Sequence, residues 1–321
     1  MFSDKNVNDA VDRRYDFVLL FDVADGNPNG DPDAGNLPRL DPQTLQGFVT
    51  DVCLKRRIRN AVAAIAADRP GCDIYFQTQD ATFERRVLNL QHQRAYDALQ
   101  QQGKLAPDEK SAKAKADNTA KARIWMCQNF YDIRAFGAVM TTGVNCGQVR
   151  GPAQITFARS IDPIVPMEIA ITRKSVTTPE DAEKQAAKDG SITGTMGRKS
   201  TVPYALYRGS GFINPLLARD TGFTYGDLRL FFDAMIRMFD LDRSASRGLM
   251  AVRKVVVFEH HSALGSAPAH LLFDRVRVPA LGAEQAPRHF TDYTVTIDRE
   301  GLPPGVTIYE LPEALVGAVA A

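Results

Sequence analysis

The decisive stretch is Tyr15-Asp-Phe-Val-Leu-Leu-Phe-Asp-Val-Ala24 running directly into Asp25-Gly-Asn-Pro-Asn-Gly-Asp-Pro-Asp-Ala-Gly-Asn36. The first half alternates and is apolar on both faces at Val18–Phe21, which predicts a central strand over 15–24. The second half packs Gly, Pro, Asn and Asp so densely that the strand must end in an irregular loop. That loop either binds a cation or holds a backbone shape. Asp25-x-Asn27-x-Asn29-Gly30 copies the opening of a calcium loop, with Asp31 and Asp33 at later ligand positions. A calcium loop closes with a bidentate Glu at its twelfth position and follows a helix. Here the twelfth residue is Asn36, a strand precedes, and Pro28 and Pro32 restrict the backbone. A rigid connector fits better, its carboxylates satisfying backbone amides in Asx turns.

Working outward, Thr50 or Asp51 is expected to cap a helix reaching about Ala67, with Leu54, Ile58, Ala61, Val62 and Ile65 on one face. Lys55-Arg-Arg-Ile-Arg59 puts four cations on this helix. At 100° per residue Lys55, Arg56 and Arg59 fan out on one side of the apolar stripe, with Arg57 on the other. Residues 80–130 read as a helical insertion, in pieces Glu84–Leu99 and Asp108–Phe130. From Glu84 to Arg123 nine Lys/Arg face five Asp/Glu. Strands are expected at Ile133–Met140 and Ala153–Ile161, joined by a glycine-rich connection carrying Gln148 and Arg150. A long hairpin follows over 166–207, with arms Pro166–Arg173 and Thr201–Tyr207. Between the arms lie a helix capped by Thr178 and a glycine-rich tip, Gly190–Ser200. The last third reads as a helix over Thr224–Phe239 and strands at Val252–Phe258, Leu271–Val278, Tyr293–Ile297 and Val306–Glu310.

Composition bounds the chemistry. The 321 residues carry 39 Lys/Arg against 38 Asp/Glu, so any basic surface is a local patch. No apolar run reaches membrane-spanning length, the polar start Met1–Arg14 lacks the apolar core expected of a secretory signal, and four scattered cysteines form no metal-clamping pair. These features point to a cytoplasmic protein with reduced thiols. Gly194-Thr-Met-Gly-Arg-Lys-Ser200 lacks the P-loop spacing, and Gly209-Ser-Gly211 is no dinucleotide fingerprint. His260 and His261 at a strand end would point to opposite faces and cannot share a metal; solvated histidines are expected there. No metal or cofactor is expected. The basic positions Lys55/Arg56/Arg59, Gln148/Arg150, Arg173/Lys174, Arg198/Lys199 and Arg247/Arg253 recur at helix starts, loops and strand ends with no acid beside them in sequence. That pattern suits phosphate contacts.

Arg14-Tyr-Asp-Phe-Val-Leu-Leu-Phe-Asp-Val through Asn36, then Val49-Thr-Asp-Val-Cys-Leu-Lys-Arg-x-Ile-Arg59, closely resembles the Cascade backbone subunit of type I-C CRISPR systems, the Cas seven family, Csd-two subtype. Asp132-Ile-Arg-Ala-Phe-Gly-Ala-Val-Met140, Val149-Arg-Gly-Pro-Ala-Gln-Ile-Thr-Phe157 and Met250-Ala-Val-Arg-Lys-Val-Val-Val-Phe-Glu-His260 extend the resemblance over residues 14 to about 278. It implies an α+β fold: one modified RRM-like (ferredoxin-like) palm domain over 1–321, with helical fingers inserted at 80–130 and a thumb hairpin at 166–207. It further implies a non-catalytic subunit whose copies line up head-to-tail along CRISPR RNA. Partners are then Cas five and Cas eight type subunits, a small subunit and the target DNA strand, with no membrane. Lys55, Arg56 and Arg59 would hold guide phosphates, and Gln148, Arg150 and Gln154 would line the palm track. Met196 with Arg198 and Lys199 would form the thumb tip at a displaced nucleotide, with Arg173 and Arg247 as further RNA contacts. Two rivals stay open. One is an RRM-like endoribonuclease that processes CRISPR RNA, for which His92, His260, His261, His270 and His289 are the neutral-pH candidates. The other is a small-molecule-binding α+β protein.

Overall fold

A computed structural model describes residues 4–78, 80–106, 111–282 and 285–313. Along the chain its main elements are β1 (Tyr15–Gly26), β2 (Gln46–Val49), α1 (Asp51–Ile65), α2 (Leu88–Gln101), α3 (Ala112–Asn129), α4 (Tyr131–Phe136) and β3 (Gly137–Met140). Next come β4 (Gly147–Arg150), β5 (Ala153–Ile155), β6 (Ala158–Pro163), β7 (Met167–Arg173), α5 (Pro179–Asp189) and β8 (Thr195–Ile213). The chain continues with α6 (Pro215–Thr221), α7 (Tyr225–Arg237), β9 (Leu249–His260) and β10 (Val306–Leu311).

β1 is central, as its two-faced apolar run predicts, with β8 on one side and β9 on the other. The large sheet has the order β10-β9-β1-β8-β6-β2, and β5 and β7 also pair with β8. All the pairings are antiparallel. Phe17, Leu19, Phe21 and Val23 point to one face, where Leu54, Ile58 and Val62 of α1 and Leu228, Phe231, Phe232 and Met235 of α7 cover them. Val18 and Leu20 point to the other, together with Tyr204, Leu206, Val256 and Phe258. There Leu272, Val276 and Tyr293 from the chain after β9 close over them. A separate buried cluster, including Leu99, Ala122, Met126, Phe130, Ile133, Cys146 and Val149, holds the helical insertion against β3 and β4. Among the described residues no helix is long and apolar enough to cross a membrane.

Several expected elements differ. The strand expected over Ile133–Met140 is half helix: Tyr131–Phe136 forms α4 with all six side chains buried, and only Gly137–Met140 is extended. Asp132 and Arg134, polar in a stretch read as strand, are both buried ion-pair partners. Leu271–Val278 likewise splits into a short helix, Ala269–Phe273, behind Pro268 and the two-residue strand Val276–Arg277. The first helical piece of the insertion divides into a short turn of helix, Phe83–Arg86, and α2, and the expected start of the second at Asp108 lies outside the described residues. In the hairpin, the second arm starts at Thr195 opposite Arg173 rather than at Thr201. Gly194 allows this: its φ is +95°, and a Cβ there would sit 2.1 Å from the Arg173 carbonyl oxygen.

Candidate nucleic-acid interface

The connector loop sets the position of α1. Thr50 caps the helix by accepting from the Cys53 amide at 3.2 Å. Asn29 Oδ1 then accepts from both the amide and the hydroxyl of Thr50, each at 3.0 Å. Within the loop, Asn27 donates to the Asn36 carbonyl at 2.7 Å, and Asp31 accepts from the Asp33 amide and faces Arg39 at 3.5 Å. The Asn27 amide is held by Ser246 O at 2.9 Å, which ties the loop to residues 244–248. Asn27, Asn29 and Asp31, three of the side chains at the calcium-loop positions, are thus engaged in shaping the backbone.

The four cations of α1 part company. Lys55 Nζ pairs with Asp51 at 3.0 Å and lies 3.5 Å from Gln154 Oε1 and 5.9 Å from the centre of the Phe136 ring. Arg56 donates to the Phe76 carbonyl at 2.6 Å, and burial lowers its pKa, with Arg59 adding to the effect. Arg59 is 8% exposed, sandwiched by Phe76 and Phe136, and donates to buried Asp132 at 2.8 Å. Asp132 also accepts from the Tyr75 and Phe76 amides. Lys55, Arg56 and Arg59 therefore do not form the joint cationic fan expected of them; Arg59 is a buried strut. Arg57, on the opposite side as expected, reaches Asp242, which Asn60 and Arg247 also bind. Burial opposes the Asp242 carboxylate, but these partners outweigh it and lower its pKa. Arg247 is half-buried in this cluster, its own pKa lowered by burial and by Arg57.

Gln148 and Arg150 sit on strand β4, not in the expected loop, with Val149 between them turned into the core. Both are exposed, and neither side chain has a protein partner among the described residues. Arg150 is opposite Gly137 in the β3–β4 register, and Gly137 directly follows Phe136, whose ring centre lies 5.9 Å from Lys55 Nζ. Gln154, exposed on β5, completes this group with Lys55.

The hairpin residues form a second group. Every residue of β7 is exposed. Met196, Arg198 and Lys199 lie along the β8 arm, opposite Thr172, Ala170 and Ile169, so they do not make the hairpin tip. Met196 is 75% exposed. Arg198 faces Glu168 at 3.7 Å, and Lys199 donates to the Ala245 carbonyl. Arg173 is spent locally, on Ser175 O and the hydroxyls of Thr177 and Thr195. A cleft of about 790 Å3 separates this arm from the connector loop, lined among others by Asn36, Leu37, Arg198, Lys199 and Ser246. Residues 242–247 join the two groups, since Asp242 holds Arg57 of α1 while Ala245 holds Lys199. The absence of acids beside the cations in sequence does not carry into the fold, where Asp51, Asp132, Glu168 and Asp242 supply partners.

His260 and His261 take opposite faces as expected, and His261 is exposed, but the expected solvation fails at His260. His260 is fully buried, accepting from the Ser266 amide through Nδ1 and donating to Asp16 from Nε2 at 3.0 Å. His261 points the other way and meets Thr307. His92 is buried between the Val144 carbonyl and the Tyr75 hydroxyl, and burial lowers its pKa. Sequence reasoning missed Asp132 and Asp242 as the acids that fix α1. It also missed Phe157, half exposed and stacked on Phe48. Only the neighbouring Gln154 signalled the latter.

The family model described as CRISPR-associated protein Cas7 matches residues 13–298. A CRISPR-associated protein Cas7 from Haloferax volcanii is 38% identical over 74 residues, which is 23% of this chain and only 20% of that relative's length. Among solved structures, a chain of a CRISPR RNA-guided surveillance complex in a pre-nicking state aligns at 14% identity and a TM-score of 0.47, covering 76% of this chain and 78% of its own. A chain of a second CRISPR RNA-guided surveillance complex aligns at 13% identity and a TM-score of 0.44, covering 76% and 68%. With a match that spans both residue groups and the sheet between them, the chain belongs to the CRISPR-associated protein Cas7 family.

Proposed function

We propose that this protein is a non-catalytic, guide-RNA-binding backbone subunit of a CRISPR surveillance complex of type I-C, the Csd-two subtype. An RRM-like palm is supported by the order β9-β1-β8-β6, which is that of a βαββαβ core, with α1 following β1 after the edge strand β2, and with α6 and α7 between β8 and β9. Fingers at 80–130 and a thumb hairpin at 166–207 are its insertions. An RRM commonly binds RNA on its open sheet face. Here that face is closed by Leu272, Val276 and Tyr293, so the guide runs instead past the end of the sheet, between α1 and the hairpin.

The observation that carries this reading is the pair Gln148 and Arg150, exposed and without a protein partner among the described residues, on the strand that leads to Gly151, whose carbonyl accepts from the Gln154 side chain that also meets Lys55. These groups offer cations and amides on a rigid frame and no means of reading sequence, as a guide holder requires. Lys55, Gln148, Arg150 and Gln154 line the palm track, while Arg173, Met196, Arg198 and Lys199 act from the thumb. Arg56, Arg59 and Arg247 serve the RNA indirectly by fixing α1. Partners are further copies of itself, Cas five and Cas eight type subunits, a small subunit and the target DNA strand, in the cytoplasm. The non-catalytic reading is supported by His92 and His260, both buried with each ring nitrogen engaged.

The test is equilibrium binding of single-stranded RNAs of several sequences across a salt series. Lys55→Ala, Arg150→Ala and Arg198→Ala together should weaken all sequences about equally and flatten the log–log salt slope by up to ~0.7 for each phosphate no longer neutralised. A loss confined to one RNA sequence would contradict the assignment, and specific cleavage of repeat RNA would favour the endoribonuclease.

A further inference from the structure

Among the described Phe, Tyr and Trp side chains only two are exposed, Phe83 at 71% and Phe157 at 50%. Phe83 belongs to the short helical turn of the insertion. Phe157 occupies the break between β5 and β6, three residues after Gln154. Its ring lies parallel to that of Phe48, 6.0 Å between centroids and 2° between planes. Phe48 is two residues before the Thr50 cap of α1, and Val49 pairs with Ala158. The two chain segments that carry Lys55 and Gln154 therefore converge on this ring pair. Phe48 is half-buried, and Phe157 is left half open to solvent.

We infer that Phe157 is a base-stacking ledge, taking the face of one nucleobase of single-stranded RNA as a third ring on the Phe48–Phe157 stack. This rests on the RNA-binding reading and adds to it a neutral, sequence-tolerant contact beside the charged ones. Single-stranded nucleic acid is held by a cationic track combined with aromatic platforms, since every base has a π-face. With the sheet face closed, Phe157 is the exposed aromatic placed to provide one. The pre-formed parallel pair holds the ring orientation before RNA arrives, so less ordering is needed on binding. Exposed Val52, on the first turn of α1, widens the apolar margin on the Phe48 segment.

Stacking and phosphate contacts leave different signatures. Removing a base–aromatic stack weakens binding without releasing fewer counterions, so affinity falls while the salt slope stays. Binding of mixed-sequence single-stranded RNA, long enough for one copy and carrying 2-aminopurine at successive positions, is measured over a salt series. Phe157→Leu keeps an apolar contact on Phe48 and guards against misfolding, and thermal unfolding of each variant checks this. For Phe157→Leu we expect a roughly five- to hundredfold weaker Kd, an unchanged salt slope, and recovery of quenched 2-aminopurine fluorescence at one position. Phe157→Trp should retain affinity and quenching. If Phe157→Leu binds like the wild type while Lys55→Ala does not, the ledge is wrong and the RNA reading stands. If Phe157→Leu flattens the salt slope as the lysine variant does, the ring only props the track and the ledge is again wrong. If the unaltered protein binds no RNA, both readings fall together.

Discussion

Arg59 and Arg150 show how differently two arginines in the same neighbourhood can behave. Arg59 and Asp132 are both buried, so removing one partner leaves an uncompensated charge in the interior. Arg59→Ala should lower unfolding free energy by about 3–5 kcal/mol in urea titration, whereas Arg150→Ala should change it by less than about 0.5 kcal/mol. Equal effects would contradict the separation of strut from surface contact. His92 makes a pH prediction. Its Nδ1 must carry the proton donated to the Val144 carbonyl, so Nε2 accepts from the Tyr75 hydroxyl, and both bonds suit the neutral ring. Burial lowers the folded pKa below the unfolded value of about 6.5. Between those two values the unfolded chain binds more protons, so stability is full above about 6.5 and falls as pH drops towards the folded value. In His92→Gln the slope of stability against pH between about 7 and 5.5 should flatten; an unaltered slope would assign that window to other groups. None of these partnerships was legible in the sequence. Asp132 lies 73 residues from Arg59 and Asp242 lies 185 from Arg57, and a charge run shows its cations but not the acids that fold against them.

Elements with a local cause were readable, and those fixed by distant contacts were not. β1 extends two residues beyond the expected end, and α1 starts at the predicted Thr50 cap and stops at Ile65, because alternation, capping and helical spacing are written in neighbouring residues. α4 was not readable because Asp132 and Arg134 are buried by ion pairs with residues far away in sequence, which local pattern does not show. The hairpin arm was misplaced for another reason: Gly194 looked like one more tip glycine, yet Gln185 brackets it with bonds to its amide and carbonyl, each 2.9 Å, and the strand starts there. Gly194→Ala should push a Cβ into Arg173 O at an unfavourable positive φ and loosen the paired arms. Because β7 is entirely exposed, little core is at stake and the global unfolding midpoint should hold. Amide exchange over 167–173 and 195–201 should speed up, and RNA affinity should fall with the displacement of Arg198 and Lys199. Unchanged exchange in both arms would show that the turn does not set the register.

At the scale of the molecule, near-neutrality and local cationic surfaces fit together. A net charge of +1 means that identical copies stacked head-to-tail, as proposed, meet little overall repulsion, while each still offers Lys55, Arg150 and Arg198 to phosphates. Both faces of the sheet are covered, by α1 and α7 on one side and by the chain after β9 on the other. Neighbour contacts in such a filament therefore fall on surfaces beyond the sheet faces, among them the exposed hairpin with Met167, Ile169 and Ile171. In the proposed filament, RNA would supply phosphate contacts to each copy, and a neighbour would supply a second, largely salt-independent term to every copy after the first. Binding to RNA long enough for several copies should then be cooperative, and binding to RNA sized for one copy should not. In mass photometry, long RNA should show runs of adjacent copies at sub-saturating protein, with few singly occupied molecules. Raising salt should weaken the binding of each copy steeply while leaving the cooperative increment nearly intact. Random, independent filling of long RNA would mean that the copies do not touch, and the backbone-filament reading would fail even if every phosphate contact were correct.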